Sequence, residues 1–569
     1  MPSPGNPSSA SPAPSAAPAV PARRTGGRAL VDALRLHGVD RVFCVPGESY
    51  LDVLDALHDH PEIDIVVAKH EGAAADMAEA DGKLTGRPGI CMVTRGPGAT
   101  HASVGVHIAQ QDSTPMILLV GQIAREHRGR EAFQELDYRA VFGGLAKWVD
   151  EIDDPARVPE VMARAFRVAT SGRPGPVVLA LPEDTLHGLT DAADCPPAPP
   201  AVAWPGAEDA QRLAGLLAGA ARPLAIVGGA NWSDAAREDF AAFVRAWDLP
   251  VAAAFRRQDL FDNRDPHYVG HMSLGINPKL GQRVQDADLV LAVGTRLGDV
   301  TTDGYTHLAA PRPRQRLVHI HVDPAELGRV YQPELAILAS PAPAAAMLRA
   351  LPAPAARPWS DWTRAARADH EAFIVTPPLA PEHRGVALAE VVRHLDAVLP
   401  DDAVVANGAG NYAVWLHRFY RYRQGRTELA TTCGTMGYGL PAAIAAKLRH
   451  PGRAAVCVAG DGCFLMYPQE LATALAHGAA VVAIVVNNGM YGTIRMHQEK
   501  RFPGRVSGTR LRNPDFVALA QACGAHAERV TETDAFPQAF ARALAAGRPA
   551  LIEVVTDPAQ ITPGARIPA

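Results

Sequence analysis

The stretch GDGCFLMYPQELATALAHGAAVVAIVVNN, residues 460–488, sets an acidic glycine turn after one apolar run and a pair of amides after the next, with a helical pattern between them. Apolar run, turn, helix, apolar run is a βαβ unit, whose two strands lie parallel and end on the same edge of a sheet. Asp461 and Asn488 therefore fall side by side at the carboxyl edge, where open α/β sheets bind ligands. A carboxylate and an amide oxygen are hard donors of the kind magnesium takes alongside phosphate oxygens, and the carbonyl of Met490 offers a third. Gly460 and Gly462 let a diphosphate approach the backbone without a Cβ in the way. Asp-Gly and Asn-Gly are each ordinary turn signals by themselves. Their placement at the two ends of one crossover makes the ligand reading the better one.

The same alternation extends upstream and downstream. AVVANG and PALIEVV join AAVCVAGDG and AVVAIVVNN as buried strands of a C-terminal unit. PLAIVGG, LPVAAAF, ADLVLAVG and LVHIHVD form a second set, and RVFCVPG, IDIVVAKH, GICMVTRGPG, MILLVGQ and GPVVLALPED a third. Near-continuous apolar runs separated by helical patterns predict parallel sheets covered on both faces. The expected class is α/β, with three doubly wound parallel-sheet domains. The boundaries fall in Pro- and Ala-rich stretches. They predict a disordered Pro/Ala/Ser tail over 1–24 and an N-terminal domain over 25–189, opening on the amphipathic helix GGRALVDALRLHGV. A linker over 190–206 leads to a central Rossmann-like domain over 207–350. A second linker over 351–384, with room for one helix, leads to a C-terminal domain over 385–569.

A chain of 569 residues exceeds what one hydrophobic core supports. With 48% hydrophobic and 20% charged residues and a net charge of -5, it lacks the basic excess of a nucleic-acid or anionic-membrane binder, so a small-molecule enzyme is expected. Seven scattered cysteines, odd in number and without a Cys-x-x-Cys, speak against a disulfide framework or a zinc site and for a reducing compartment. No apolar run approaches the roughly 18–20 residues of a membrane span. The N-terminus lacks the charged start and apolar block of a secretory signal, and a cytoplasmic location is the expectation.

Glu71, in KHEGAAADMAEADGKLTG, stands where the strand IDIVVA gives way to an alanine-rich helix. A carboxylate there is stabilised by the positive end of the helix dipole, which is reason enough for its presence. Small apolar neighbours would also desolvate it and raise it toward the range useful for proton transfer.

The GDG…NN arrangement matches the motif of thiamine-diphosphate (ThDP) enzymes, and from Thr25 to about residue 560 the chain resembles their acetolactate synthase branch. FCVPGESYLDVLDAL, with Pro46 and Gly47, resembles the family's opening strand and glycine turn. GICMVTRGPGATHASVGVHIAQQDSTPMILLVGQ resembles the run in which a Gly-Pro-Gly turn precedes an active-site helix and a closing Gly-Gln, here Gln122. EAFQE resembles the segment whose Phe133 and Gln134 would face the reacting carbons. CGTMGYGLPAAIAAKL resembles the cofactor-clamping turn, where Met436 would wedge under the cofactor and a carbonyl near Gly434 would receive its 4′-amino group. Each has a plainer reading: Met436 as core, Gln134 as a solvated helix residue, Gln122 as a strand-end cap. His70, His101 and His107 are weaker signals, of which His101 stays a candidate.

The resemblance implies that Glu71 hydrogen-bonds N1′ of the aminopyrimidine and promotes removal of the C2 proton. It implies that Asp461, Asn488 and the Met490 carbonyl hold Mg2+, with Cys463, Tyr491 and Gly492 beside the diphosphate. The three domains become pyrimidine-binding, central Rossmann-like and diphosphate-binding. A homodimer or homotetramer is implied, with Glu71 from one chain and Asp461 from another, and a regulatory subunit is left open.

The departures bear on substrate. GNYAVW stands where the branch carries Gln-His, so Asn411 and Tyr412 would meet the diphosphate. Met496 and His497 fall near the acceptor pocket, where biosynthetic members place a tryptophan. AAFRRQDLF, with Arg256 and Arg257, replaces a segment typical of flavin-binding members, whereas VGTRLGD, with Arg296, resembles one, so FAD stays open. The activity implied is a carboligase: a 2-oxo acid such as pyruvate is decarboxylated and its two-carbon unit transferred to a second carbonyl compound. The alternative is a ThDP-dependent decarboxylase or other lyase, whose usual paired histidines this chain lacks.

Overall fold

In the computed structural model, residues 23–568 are described. The tail expected over 1–24 lies outside them except for its last two residues. Arg24–Thr25 pairs antiparallel with Leu189–Thr190 and closes the N-terminal unit.

Three six-stranded parallel sheets organise the chain. All thirteen apolar runs form strands within them. The N-terminal sheet runs, in spatial order, Asp64–Val67, Arg41–Cys44, Gly89–Val93, Met116–Gln122, Pro176–Pro182, Trp148–Glu151. The central sheet runs Tyr268–Met272, Val251–Ala254, Pro223–Val227, Leu289–Val293, Arg316–His321, Leu335–Leu338. The C-terminal sheet runs Glu428–Ala430, Val404–Asn407, Ala455–Gly460, Val482–Asn487, Ala550–Val555, His526–Val530. In each, consecutive strands are added first to one side and then to the other, which creates a switch point at the carboxyl edge.

The N- and C-terminal domains share one continuous hydrophobic core, whereas the central sheet packs into cores of its own. The shared core is made of small residues. Helix Glu71–Thr85 has its Ala-rich turns buried on nearly every side, and helix Gly439–Arg449 buries Ala442 to Ala446. The close approach extends to helix Pro97–Asp112, where a Cβ on Gly105 would stand 2.5 Å from that of Ala75. Polar ties reinforce the junction. Arg449 reaches Asp81 at 2.7 and 2.9 Å and Asp40 at 2.9 Å with two nitrogens. The Tyr438 hydroxyl donates to buried Glu79 at 2.6 Å.

The stretch 351–384 holds more than a connection. Helix Ser360–Phe373 packs on the central sheet through fully buried Trp359, whose indole N–H donates to Trp247 O at 2.9 Å. It covers the outer face of the edge strand Tyr268–Met272, all of whose residues are buried. No helix among the described residues is long and apolar enough to cross a membrane, and the seven cysteines are unpaired thiols.

Candidate active site

The GDG turn follows strand Ala455–Gly460 and opens the short helix Asp461–Phe464. Asp461 is buried, and its carboxylate is fully bonded. Oδ1 accepts from Gly462 N at 2.9 Å, and Oδ2 from Gly489 N at 2.9 Å and Asn513 Nδ2 at 2.8 Å. The Gly489 bond joins the two halves of the motif across the sheet edge, as the register Gly460↔Val486 requires. Despite these donors, burial pushes the Asp461 carboxyl above the usual carboxylate range. Asn513, unmarked in the sequence, also donates to Asn487 Oδ1 at 2.9 Å and keeps a buried, unpaired Oδ1 of its own. Asn488 Oδ1 accepts from Met490 N at 3.2 Å. The short bridge between Met490 and Arg510 is closed by the carbonyls of Gly489 and Thr509, not by that of Met490. The buried Asp461 carboxylate, the Asn488 amide oxygen and a Met490 carbonyl outside the ladder, with the orphaned Asn513 Oδ1 beside Asp461, are hard oxygens of the kind a magnesium ion takes, and the residues fit the ion.

The glycines of the turn answer to aromatic rings rather than directly to a phosphate. A Cβ on Gly462 would lie 2.5 Å from the Tyr491 ring, and one on Gly460 2.9 Å from the Tyr412 ring. Tyr412 points inward: its hydroxyl accepts from Gly408 N at 3.1 Å and lies 3.3 Å from Cys463 Sγ. Cys463 Sγ in turn accepts from Gly437 N at 3.3 Å, so these two residues join the GDG turn to the clamp turn from beneath. Asn411 spends Nδ2 on Ile561 O at 3.0 Å and takes a proton from Thr493 Oγ1 on Oδ1 at 2.9 Å. Asn411 and Tyr412, expected at the diphosphate, thus make hydrogen bonds within the chain beside the GDG turn. Gly434 is exposed at φ 71° with empty space where a Cβ would stand, and Met436 beside it is half-buried. Gly492 opens the helix Gly492–Arg501, with Asn488 Nδ2 lying 3.2 Å from its Cβ position. Met496 Sδ lies 3.6 Å from Asn411 Nδ2, while His497 is exposed. Successive helix residues point about 100° apart, so Met496 alone faces this wall.

The second cluster lies in the N-terminal domain. Glu71 is the first residue of helix Glu71–Thr85, capped by His70 Nδ1, which accepts from Gly72 N at 3.0 Å. Glu71 Oε2 meets His101 Nδ1 at 2.9 Å, and Oε1 faces the Gly-Pro-Gly turn, 3.6 Å from the Cβ position of Gly98. The carboxylate is therefore not surrounded by small apolar residues alone, as the sequence suggested; helix Pro97–Asp112 brings an imidazole to it. The EAFQE segment lies over the same turn. Gln134, held at φ 66°, packs its Cβ 2.8 Å from the Cβ position of Gly96, and Phe133 is 73% exposed, facing away from its own chain. Gln122 is a clip for that segment, donating to Leu136 O at 2.9 Å and accepting from Ile123 N at 3.0 Å. Each amide atom thus makes one hydrogen bond at the strand end. Gly47 packs against Thr94, and exposed Pro46 extends this edge. Among the described residues no hydrogen bond links Glu71 with Asp461.

Comparison with known proteins decides what these two clusters belong to. Residues 24–141 match the thiamine pyrophosphate enzyme N-terminal TPP binding domain, 210–351 the central domain, and 408–554 the C-terminal TPP binding domain. The chain belongs to the thiamine pyrophosphate enzyme family. Its relatives include the acetolactate synthase large subunit of Parasynechococcus marenigrum, 33% identical over 93% of this chain and 87% of that protein. The probable acetolactate synthase large subunit of Methanocaldococcus jannaschii is 31% identical over 95% and 94%. The acetolactate synthase isozyme 2 large subunit of Escherichia coli is 30% identical over 94% and 95%. The chain is thus a TPP-dependent enzyme of the acetolactate synthase type.

This TPP enzyme also has a cavity of about 520 Å³ at the carboxyl edge of its central sheet. Gly229 and Gly294, at φ 81° and 73°, pack backbone to backbone on its floor, and Arg173, Arg257 and Arg296 line its walls. Arg256, from the segment that departs from the flavin-binding pattern, is not among the lining residues. Its guanidinium donates to Thr431 O at 2.5 Å and Gly408 O at 2.7 Å, tying the central domain to the clamp turn.

Proposed function

We propose that this enzyme is a ThDP- and Mg2+-dependent carboligase that decarboxylates a 2-oxo acid such as pyruvate and joins the two-carbon unit to a second carbonyl compound. The observation that carries the reading is Asp461, buried and bonded across the sheet edge to the loop after Asn488, in a chain whose relatives are acetolactate synthase large subunits. Bound thiamine diphosphate would supply the carbon nucleophile and electron sink, as cofactors do for such chemistry. The chain's part is to hold and orient it. Asp461, Asn488 and the Met490 carbonyl would take the magnesium and through it the diphosphate. Gly434 leaves a backbone face free for the aminopyrimidine, and Met436 stands beside it. Glu71 would hold N1′ and carry a proton there. Phe133 and Gln134, set over the Gly-Pro-Gly turn, would shape the space for the reacting carbons and keep water from it.

Two features support a homodimer or homotetramer with shared sites. The relatives are acetolactate synthase large subunits, and Phe133, on the segment over the Gly-Pro-Gly turn that Glu71 faces, is presented outward. The central cavity, with its glycine floor and three guanidinium groups, suits the diphosphate of a dinucleotide such as FAD. A flavin there would be structural, because the carbon–carbon chemistry has no net redox change. Purified protein with bound flavin would show its visible absorption bands.

The test of the main reading is product analysis with ThDP, Mg2+ and pyruvate. Acetolactate as the main product supports the carboligase. Acetaldehyde replaces it with the lyase reading. No pyruvate loss with ThDP shown to bind removes pyruvate as donor.

A further inference from the structure

The carboxylate proposed to work on the cofactor has a partner that the sequence offered only as a weak candidate. His101 sits one turn into helix Pro97–Asp112, and its Nδ1 lies 2.9 Å from Glu71 Oε2. An ionised carboxylate only accepts, so Nδ1 carries the hydrogen and Nε2 is the free nitrogen. The side chain is 51% exposed, against 16% for Glu71, so the imidazole stands between the carboxylate and water. It is braced from behind: the His70 ring stacks on it with centroids 4.8 Å apart, and the Tyr467 ring lies 5.2 Å beyond His70. His70 is fixed in the opposite tautomer, since its Nδ1 accepts from Gly72 N. Burial and the neighbouring His101 hold His70 below the usual imidazole range, which keeps it an uncharged platform. The groups facing His101 are thus Glu71 and His70 from one helix and, across His70, Tyr467 of the C-terminal domain. Glu470, close by, is engaged with Lys69 N and Thr473 and does not compete.

We propose that His101 is a positioning residue for Glu71, holding Oε2 so that Oε1 is left for the aminopyrimidine nitrogen, and relaying a proton between Glu71 and solvent. The proposal rests on the role assigned to Glu71 above. In the inward direction a solvent proton adds to Nε2 of neutral His101, and the Nδ1 proton passes to Oε2. The imidazole is left neutral with its hydrogen on Nε2, and a net one proton reaches Glu71. The outward direction reverses each transfer. A residue that merely fills space would show neither the fixed tautomer nor the proton path.

Two measurements test it. In the full-length, cofactor-free protein at pH 8, ring-nitrogen NMR of labelled histidines is expected to show His101 as the Nδ1–H tautomer and His70 as Nε2–H. His101 as Nε2–H overturns the pair. In the second, hydrogen–deuterium exchange at C2 of bound ThDP is followed against pH in the wild type, His101→Phe and His101→Asn. His101→Phe is expected to bind ThDP as tightly as the wild type and to exchange about tenfold slower, the order of effect of one charge-assisted hydrogen bond. Asn places an amide nitrogen where Nδ1 stood. It is expected to restore most of the rate at the plateau but to lose one ionisation from the profile. Wild-type exchange and profile in both variants refute the proposal. If His101→Phe fails to fold, the Asn variant and the tautomer decide. If the wild type itself does not bind ThDP, the functional reading falls, while the tautomer still tests the pair.

Discussion

Replacing Asp461 with Asn separates a metal site from a structural hub, because the two roles predict effects of different size in different states. In the cofactor-free protein the carboxylate accepts three hydrogen bonds but is buried, and burial holds its pKa above the usual range. An Asn amide oxygen at the Oδ2 position keeps the bonds from Gly489 and Asn513, while its NH2 faces the Gly462 N–H and loses one. That loss costs about 1–3 kcal/mol, offset by removing a charge whose burial is unfavourable. A carboxyl raised in the folded state weakens folding as pH rises above its unfolded value, so the offset grows from there toward neutral pH. The net expectation for the cofactor-free variant is within about 2 kcal/mol of wild type. With ThDP and Mg2+ at a hundredfold excess over Kd, the wild type gains about 2.7 kcal/mol from linkage. For a domain of this size that is roughly 5–10 °C in the unfolding midpoint. Asp461→Asn is expected to lose nearly all of this gain. Calorimetry of the C-terminal transition, with and without cofactors, gives both numbers. An undiminished cofactor shift in the variant would refute the metal-ligand assignment. A collapse of the cofactor-free variant by well over 3 kcal/mol would make Asp461 a structural hub instead.

Three further outcomes follow from the geometry. Glu71→Gln keeps the shape of the helix N-terminus, so ThDP binding measured by fluorescence titration should persist while turnover nearly vanishes; full turnover would sink the catalytic role. Arg449→Met removes a guanidinium shared by Asp81 and Asp40 across the N- and C-terminal domains, a loss of about 3 kcal/mol at the buried Asp81 end and less at the exposed Asp40 end. Because Arg449 and Arg87 hold Asp40 at about 2, that smaller share is present above the ordinary aspartate value near 4 and is lost as pH falls toward 2, a slope Arg449→Met should flatten in acid unfolding curves. Glu428, buried beside Asp259 where the central and C-terminal domains meet, is raised to about 7. A raised carboxyl costs stability progressively as pH climbs from its unfolded value to about 7, so Glu428→Gln should be the more stable protein at pH 8, by up to about 3 kcal/mol, and should show no advantage at pH 4.

Twelve of the thirteen strands that could be read are central, because a strand buried on both faces is a continuous apolar run, whatever covers it; the thirteenth, the edge strand Asp64–Val67, carries an apolar run of its own. The five strands left unread are all sheet edges: Trp148–Glu151, Tyr268–Met272, Leu335–Leu338, Glu428–Ala430 and His526–Val530. Edge strands are short and take their pattern from local cover. WVDE is half-exposed throughout, LAIL alternates, and YVGHM is buried only because helix Ser360–Phe373 lies over it. The GDG and NN turns were legible as a pair because both lie within one crossover, where parallel pairing alone brings them together.

What joins residues far apart in the chain was settled by tertiary structure. The resemblance marked Asn411, Tyr412 and Gln122 for the cofactor; their hydrogen bonds to Ile561, Gly408 and Leu136 are set by packing and not by local sequence. It marked Arg256 only as a departure from a flavin-binding segment, and a positive φ of 55° accompanies its turn toward Gly408 and Thr431. Asn513 carries no local signal and His101 only a weak one, since an asparagine in a loop and a histidine on a helix are common everywhere. Each became part of the site only when a distant segment delivered Asp461 or Glu71 to within hydrogen-bond reach. Local sequence determines which groups stand at the ends of strands and helices; whether such a group is free for a ligand depends on the neighbours that folding brings to it.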